Sequence, residues 1–379
     1  MRKIVIIGPA YPYRGGLANF NERLAAEMQS RGDSVLIETF TLQYPRILFP
    51  GKTQYADRPA PDNIKITRSI NSVWPLNWLK TGRRISKEKP DIVILRYWLP
   101  FMAPCLGTIA RLIRKNHHTR VLTIADNIIP HESRPGDRLL TSYFVKQTGA
   151  FIAMSKSVLT ELNIFDRQKP RILSPHPVFD NFGERINREE ALRNLGLDSS
   201  YRYILFFGLI REYKGLDIMI NAFADKELRE MKLRLLVVGE FYTPREPYDG
   251  LIKKHELEDD IVVHPHFVPD SDVKNWFCAA DIIAQPYKSA TQSGVTQIGY
   301  HFNKPMLVSD VGGLPEIIPH GRGGYVVKAD HRSVSEALLD FFNNNRYDDF
   351  VKGIREEKAK FSWGRLADNI YTLAEQLKA

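Results

Sequence analysis

The chain has 379 residues, of which 43% are apolar and 26% charged, a composition typical of a globular protein with room for two domains of similar size. No apolar run approaches the roughly 18 residues of a membrane-spanning helix, and the first run, Ile4 to Ile7, is too short for a signal peptide. The two cysteines, Cys105 and Cys278, are far apart in the sequence, which predicts buried free thiols and a cytoplasmic location.

The positive charge is concentrated in the first half, where residues 1–180 contain 27 Lys and Arg against 14 Asp and Glu. Such an excess of positive charge is compatible with binding to nucleic acid, an anionic membrane surface or a phosphorylated substrate. The segment "SVWPLNWLKTGRRISKEKP" places two tryptophans before Lys80, Arg83 and Arg84, a combination that suits a lipid headgroup layer. A partly buried helix with a solvated basic face is the more ordinary interpretation of the same segment.

The predicted elements alternate in chain order between apolar strands and amphipathic helices. "KIVIIG", "DSVLIETF", "DIVILRY", "RVLTIAD" and "AFIAM" are separated by helical segments, which predicts a parallel sheet covered on both faces. Three prolines between Pro170 and Pro177 indicate a linker, after which the alternation restarts from "YRYILFFG" to "GGYVVKAD". The sequence thus predicts two Rossmann-like halves followed by a final amphipathic helix.

Two loops after strands carry residues suited to phosphate, and ligands of such sheets bind at the carboxyl ends of strands. In "GPAYPYRGGLANF", Gly15 and Gly16 allow close backbone approach to a ligand at a helix N-terminus, in a pattern unlike those of dinucleotide or ATP sites. In "LIREYKG", Arg211 and Lys214 precede a helix and together suit a diphosphate. A plain turn and a solvated pair of cations are the respective alternatives.

The order "FFGLIREYKGLD", "VVGE", "ADIIAQPY" and "FNKPMLVSDVGGLPEII" resembles the nucleotide-sugar-binding half of retaining glycosyltransferases of family 4. "YRGG" and "DNIIPHE" resemble the acceptor half. The resemblance implies an α/β GT-B fold, in which two Rossmann-like domains face each other across a cleft and a C-terminal helix crosses back to the N-terminal domain. We therefore expect an acceptor-binding domain of residues 1–175 plus 364–379 and a nucleotide-sugar-binding domain of residues 176–363.

The resemblance also implies roles for residues at matching positions. Arg211, Lys214 and His131 are the expected catalytic residues, although relatives often place the arginine directly after the strand glycine, where this chain has Leu209. The expected donor-binding residues are Gly15, Gly16, Gly208, Glu240, Val268, Thr291, Gln292, Ser293, Gly294, Val295 and Thr296. On the acceptor side we expect Asp126, Asn127 and Glu132, where relatives often begin the segment with His-Asn.

Both glutamates of the family's E-x7-E motif are replaced, because aligning "FNKP" with the usual "ACGKP" puts them at Ala290 and Ile298. We expect this loss to weaken donor recognition more than chemistry. "TQSGV" offers neutral hydrogen-bonding side chains and the backbone N–H groups of Gly294, Val295 and Thr296 at a helix N-terminus.

The predicted function is a metal-independent retaining hexosyltransferase that uses a nucleoside-diphosphate sugar and no cofactor. The expected acceptor is a glycan or a lipid-diphosphate-linked molecule of surface polysaccharide or glycoconjugate synthesis, handled on the inner face of the plasma membrane. No metal site is predicted, since the acidic pattern in "PDSDVK" is better explained by a helix cap on Asp270 or Ser271. Three alternatives stay open: a degenerate GT-B protein that binds a nucleotide sugar or partner without turnover, a sugar-nucleotide epimerase, and a nucleic-acid binder supported by charge alone.

Overall fold

The computed structural model describes residues 1–45, 53–56, 59–130, 134–180, 182–290 and 293–377. The chain divides into two compact units. Unit 1 comprises Met1–His176 together with Ser362–Ala379, and unit 2 comprises Pro177–Phe361. The chain therefore enters unit 2 once and returns to unit 1 for its last segment.

The strands are β1 (Lys3–Ile7), β2 (Ser34–Leu42), β3 (Lys65–Asn71), β4 (Ile92–Tyr97), β5 (Arg120–Ala125), β6 (Ala150–Ala153), β7 (Arg171–Leu173), β8 (Arg202–Phe207), β9 (Leu233–Val238), β10 (Ile261–His264), β11 (Ile282–Gln285), β12 (Met306–Ser309) and β13 (Gly324–Val327). The α-helices are α1 (Gly16–Ser30), α2 (Pro75–Glu88), α3 (Ala103–Arg114), α4 (Asp137–Gln147), α5 (Lys156–Phe165), α6 (Arg188–Leu195), α7 (Leu216–Phe223), α8 (Lys226–Glu230), α9 (Glu246–Lys254), α10 (Val273–Ala279), α11 (Gly294–His301), α12 (Leu314–Ile317), α13 (His331–Asn343), α14 (Tyr347–Lys358) and α15 (Trp363–Glu375).

Each unit contains one parallel sheet with its strands in doubly wound order. Within the described residues, unit 1 has the order β3-β2-β1-β4-β5-β6-β7 and unit 2 the order β10-β9-β8-β11-β12-β13. Every residue of β4 is buried, which explains the apolar run over residues 92–95, since a central parallel strand has helices on both faces. The predicted α/β class with two Rossmann-like sheets is confirmed, and the order changes direction beside β1 and β8, where such sheets bind ligands.

The last helix, α15, packs within unit 1, as predicted for the C-terminal helix. The Trp363 ring lies 4.9 Å from the Phe20 ring, and Arg31 Nη1 lies 2.6 Å from Asp368 Oδ1. Ser362 caps the helix by accepting a hydrogen bond from the Arg365 N–H. The apolar face predicted from sequence is thus buried against α1 and the sheet of unit 1.

Two further expectations concern local structure. Cys105 and Cys278 are buried free thiols, as predicted. The predicted cap on Asp270 or Ser271 is wrong, because α10 begins at Val273, after a turn in which the Asp272 N–H donates to the Pro269 carbonyl at 2.9 Å. Among the residues covered by the structure, no helix is long and apolar enough to cross a membrane.

Candidate functional site

The candidate site of unit 2 lies at Gly208, the residue directly after β8. Gly208 has a φ of +105°, a backbone conformation that favours glycine. A Cβ placed there would lie 3.1 Å from Lys214 Nζ and 3.5 Å from Val295 Cγ2. Lys214 and the start of α11 therefore converge on the bare backbone of Gly208.

The loops after β8 and β9 are joined by their backbones. The Ile210 N–H donates to the Glu240 carbonyl, and the Tyr242 N–H donates to the Ile210 carbonyl, both at 2.8 Å. Gly239 permits this approach, since a Cβ at its position would lie 2.0 Å from the Gly208 carbonyl oxygen. The pairing places the predicted donor-side residue Glu240, which is buried, next to the loop that contains Arg211.

Arg211 and Lys214 lie at the two ends of a short 3₁₀ turn, Glu212–Lys214, which Arg211 precedes and Lys214 completes. The Lys214 N–H donates to the Arg211 carbonyl at 3.0 Å, and the Arg211 guanidinium lies 5.2 Å from the Tyr242 ring centroid. Lys214 Nζ lies 5.5 Å from the Tyr287 ring centroid. Burial, and then the charge of Arg211, lower the pKa of Lys214 to about 8. The attraction of an anionic ligand would offset both effects, so the ammonium is placed to gain from binding a phosphate.

Ser293 organises the start of α11 in a way that the sequence did not reveal. Its Oγ accepts from the Val295 N–H at 3.2 Å and donates to Gln285 Oε1 at 2.7 Å. The predicted donation by the Val295 N–H to a ligand is therefore wrong, because that N–H is used in the helix cap. Thr296 is fully buried and donates to the Ser293 carbonyl, whereas Gly294, the first residue of α11, is half-buried.

The positions of the two missing glutamates are apolar and buried. Ala290 is 8% exposed and Ile298 is 6% exposed. A carboxylate at position 298 would need to be buried, which is costly without a cationic partner. Three neutral polar groups lie together beside the start of α11: Gln285, Ser293 and the Tyr287 hydroxyl, which lies 3.5 Å from Ser293 Oγ.

Tyr242, Gln285 and Tyr287 are residues of this site that were not singled out in the sequence. Each lies at or just after the carboxyl end of a strand, β9 or β11, which is the positional signal that could have identified them. Val268 lies after β10 with a buried side chain, so a ligand there would meet backbone atoms. The predicted residues His131, Glu132, Thr291 and Gln292 lie outside the described residues.

Unit 1 contains the predicted glycine pair and the acceptor-side residues. Gly15, with a φ of +102°, precedes α1, and Gly16 is its first residue. The Asp126 carboxylate is bonded by both Nε and Nη2 of Arg96, whose guanidinium lies 3.7 Å from the Phe20 ring centroid. Asp126 is thus held in a buried ion pair, whereas Asn127 is half-buried.

A mostly apolar cavity of about 230 Å³ lies beyond Asn127 in unit 1. Ile128, Ile129 and Phe165 form part of its wall. Arg134 and Arg138 add two cationic groups, and Asp137 adds one carboxylate. This combination suits a ligand with an apolar part and an anionic part. In the residues that the structure covers, no group of three His, Cys, Asp or Glu side chains could hold a metal ion.

Comparisons with known proteins agree with this architecture. Residues 201–344 match the family model described as glycosyl transferases group 1. An uncharacterized glycosyltransferase of Methanocaldococcus jannaschii is 23% identical over 99% of this chain and 98% of its own length. Spore coat protein SA of Bacillus subtilis is 24% identical over 53% of the chain, which spans about half of that relative, 55% of its length.

Similarity to a solved structure extends over the complete chain. Anabaena HepE in complex with UDP superimposes with a TM-score of 0.75, covering 99% of this chain and 100% of HepE at 13% identity. At that identity the likeness concerns the fold. The chain therefore has the GT-B fold, and its residues 201–344 are similar to the family of glycosyl transferases group 1.

Proposed function

We propose that this protein is a retaining glycosyltransferase that moves a hexose from a nucleoside-diphosphate sugar to a hydroxyl of its acceptor. The observation that carries the proposal is the placement of Lys214 Nζ over Gly208, beside the start of α11. A cation, bare backbone and a helix N-terminus at the carboxyl edge of a parallel sheet suit a diphosphate. The solved complex of HepE with UDP supports a nucleotide-sugar donor.

In the proposed reaction, the bond between the anomeric carbon and the diphosphate oxygen breaks. The acceptor hydroxyl oxygen bonds the anomeric carbon on the same face, and its proton passes to the departing diphosphate. Arg211 and Lys214 would stabilise the charge that develops on the diphosphate. Two side-chain cations at this place are the basis for proposing that no metal ion or other cofactor is required.

For the acceptor we propose a glycan or lipid-diphosphate-linked molecule, used in the cytoplasm for surface polysaccharide or glycoconjugate synthesis. The cavity beyond Asn127 supports a lipid-linked acceptor, because Ile128 and Phe165 could contact an apolar chain and Arg134 a phosphate. His131 keeps its proposed role near the reacting sugar on the resemblance alone.

The test is thermal stabilisation by UDP-, GDP-, ADP- and dTDP-sugars, with and without magnesium. We expect a shift with one nucleotide that does not depend on magnesium and is lost in Lys214→Ala and Arg211→Ala. Lys253→Ala, which removes an exposed lysine of α9, is the matched control and should shift like the wild type. A shift that survives both site variants would contradict the proposed diphosphate site.

A second candidate is a GT-B protein that binds a nucleotide sugar without turnover, favoured by the apolar residues at positions 290 and 298. The two candidates are distinguished by incubating the protein with the donor that stabilises it and detecting released or transferred sugar by mass spectrometry. For an active enzyme, removing one cation should lower kcat by about 100- to 1,000-fold. Donor binding with no hydrolysis or transfer to any glycan or lipid acceptor would favour the second candidate.

A further inference from the structure

Helix α2 buries one face in unit 1 and exposes the other. Gly82 faces α3 so closely that a Cβ at its position would lie 2.8 Å from Leu112 Cδ1, and Thr81 and Ile85 are also buried. The exposed face has four residues that follow one another at intervals of four, three and four positions in the sequence. This spacing places their side chains along one side of the helix. This exposed stripe consists of Leu76, Lys80, Arg83 and Lys87.

The N-terminal end of the stripe carries a cluster of exposed apolar side chains, here named the apolar tip. It consists of Val73, Trp74 and Leu76, which are 44%, 56% and 65% exposed. Single exposed apolar residues are ordinary, but three within four residues form a contiguous patch, which in a folded protein marks an interaction surface.

The structure distinguishes residues that the sequence treated alike. Trp78 packs against the core and its Nε1 donates to the Asn71 carbonyl at 2.7 Å, whereas Trp74 is exposed. Arg84 is likewise engaged, with Nη2 lying 2.9 Å from Glu38 Oε2, while Arg83 is exposed. Arg84 is therefore held in an ion pair within unit 1, and Lys80, Arg83 and Lys87 are the exposed cations of α2.

We infer that the apolar tip and the exposed stripe form a docking surface for an anionic lipid bilayer. Between Asp62 and Glu88 the sequence has six Lys or Arg and no Asp or Glu, so the charge complements anionic headgroups. Tryptophan and leucine at the end of a cationic helix face are suited to the boundary between headgroups and acyl chains. Nucleic acid or an acidic protein would use the cations but would leave the apolar tip without a function.

This inference goes beyond the proposed sugar transfer and can be tested without any sugar nucleotide. The full chain is sedimented with vesicles of phosphatidylglycerol and phosphatidylcholine, and with vesicles of phosphatidylcholine alone. We expect binding to the anionic vesicles, weakened about tenfold or more by Trp74→Ser with Leu76→Ser, and similarly by Lys80→Gln with Arg83→Gln and Lys87→Gln. Trp74→Phe should retain binding, because the ring stays apolar.

The matched control is Leu139→Ser, which changes a leucine on α4 that is more exposed than Leu76. An equal loss in this control, or no binding of the wild type to anionic vesicles, would overturn the proposal. Binding to heparin that depends on the three cations but not on the apolar tip, with no vesicle binding, would assign the surface to an acidic polymer. The proposed donor site is judged separately, since stabilisation by a nucleotide sugar should persist in every α2 variant.

Discussion

Lys214 combines two properties at the scale of a single residue: its ammonium lies at the centre of the candidate site, and its pKa is low for a lysine. Desolvation is the first cause and the charge of Arg211 the second, and both oppose the protonated form. A bound diphosphate would favour that form. The state of this one side chain should therefore couple donor binding to pH.

The pH dependence follows from the direction of this shift. Below pH 8 the amine is charged in the unliganded protein and donor binding should be strong; above pH 8 it is increasingly neutral, so affinity should fall by up to about tenfold per pH unit. The measurement is donor Kd by calorimetry between pH 6.5 and 9.5, with proton uptake expected above pH 8. Lys214→Arg, which stays charged, should lack the fall; an identical fall in that variant would assign the titration elsewhere.

Gly208 makes a second prediction at the residue scale. Gly208→Ala should weaken donor binding, because the new methyl group lies 3.1 Å from Lys214 Nζ, and should cost about 1–3 kcal/mol of unfolding free energy, since its φ is +105°. The control is Gly250→Ala in α9, where a Cβ meets no atom within 4 Å and alanine should be neutral or stabilising. Urea unfolding and donor Kd report the two effects, and equal behaviour of the two variants would contradict the assignment.

At the scale of elements, the connections between strands and helices decide where the site residues lie. Lys304, which precedes β12, is buried and donates through Nζ to the carbonyls of Cys278 and Ala280 at 3.1 and 2.7 Å. A cation at the last carbonyls of a helix satisfies groups that have no intrahelical partner. This lysine of the "FNKP" segment therefore fixes the end of α10 and has a structural function.

Replacing this lysine tests that conclusion. Lys304→Met should lower the unfolding free energy by about 1.5–3 kcal/mol, because it removes a charged donor from buried carbonyls while keeping most of the side-chain volume. Lys352→Met, which changes an exposed lysine of α14, is the control and should have little effect. Chemical denaturation measures both; a similar small change in the two variants would show that these hydrogen bonds contribute little.

At the scale of the whole molecule, the chain leaves unit 1 near His176 and returns at Ser362. The first and last segments of unit 2 are joined by a backbone hydrogen bond, in which the Val178 N–H donates to the Phe361 carbonyl at 2.9 Å. The last segment then completes unit 1: Asn369 Nδ2 donates to Ser174 Oγ at 3.0 Å, and Tyr371 OH donates to Asp33 Oδ2 at 2.7 Å. Unit 1 is thus built from both ends of the sequence.

Because unit 1 depends on its C-terminal segment, a destabilising substitution in α15 should affect unit 1 and not unit 2. Trp363→Ala should lower the stability of unit 1 by about 3–5 kcal/mol, because the indole is buried against Phe20. Hydrogen exchange should accelerate in β5 and β6 while β8 and β11 keep their protection. Glu375→Ala, at an exposed position of the same helix, is the control. Equal acceleration in the strands of both units would contradict the assignment of α15 to unit 1.

Much of the fold was predictable because parallel strands buried on both faces leave long apolar runs, and these runs alternate with amphipathic helices. The loops that carry the site were predictable for the same reason, since each follows a strand. Within those loops, Arg211 and Lys214 were singled out because charge at a helix entry is visible in residue type. Tyr242 and Tyr287 were not, because an aromatic residue near a strand end is more often part of a core.

The sequence by itself determined the two parallel-sheet units, the return of the last helix and the loops that hold the candidate site. Only the tertiary structure decided how individual groups are used: the Val295 N–H is taken by Ser293, Asp126 is paired with Arg96, and Trp74 is exposed while Trp78 packs against the core. Hydrophobic periodicity depends on residues that are close along the chain, so it can be recognised from the sequence. Hydrogen bonding and exposure depend on residues that are distant in sequence, which become neighbours when the sheets form.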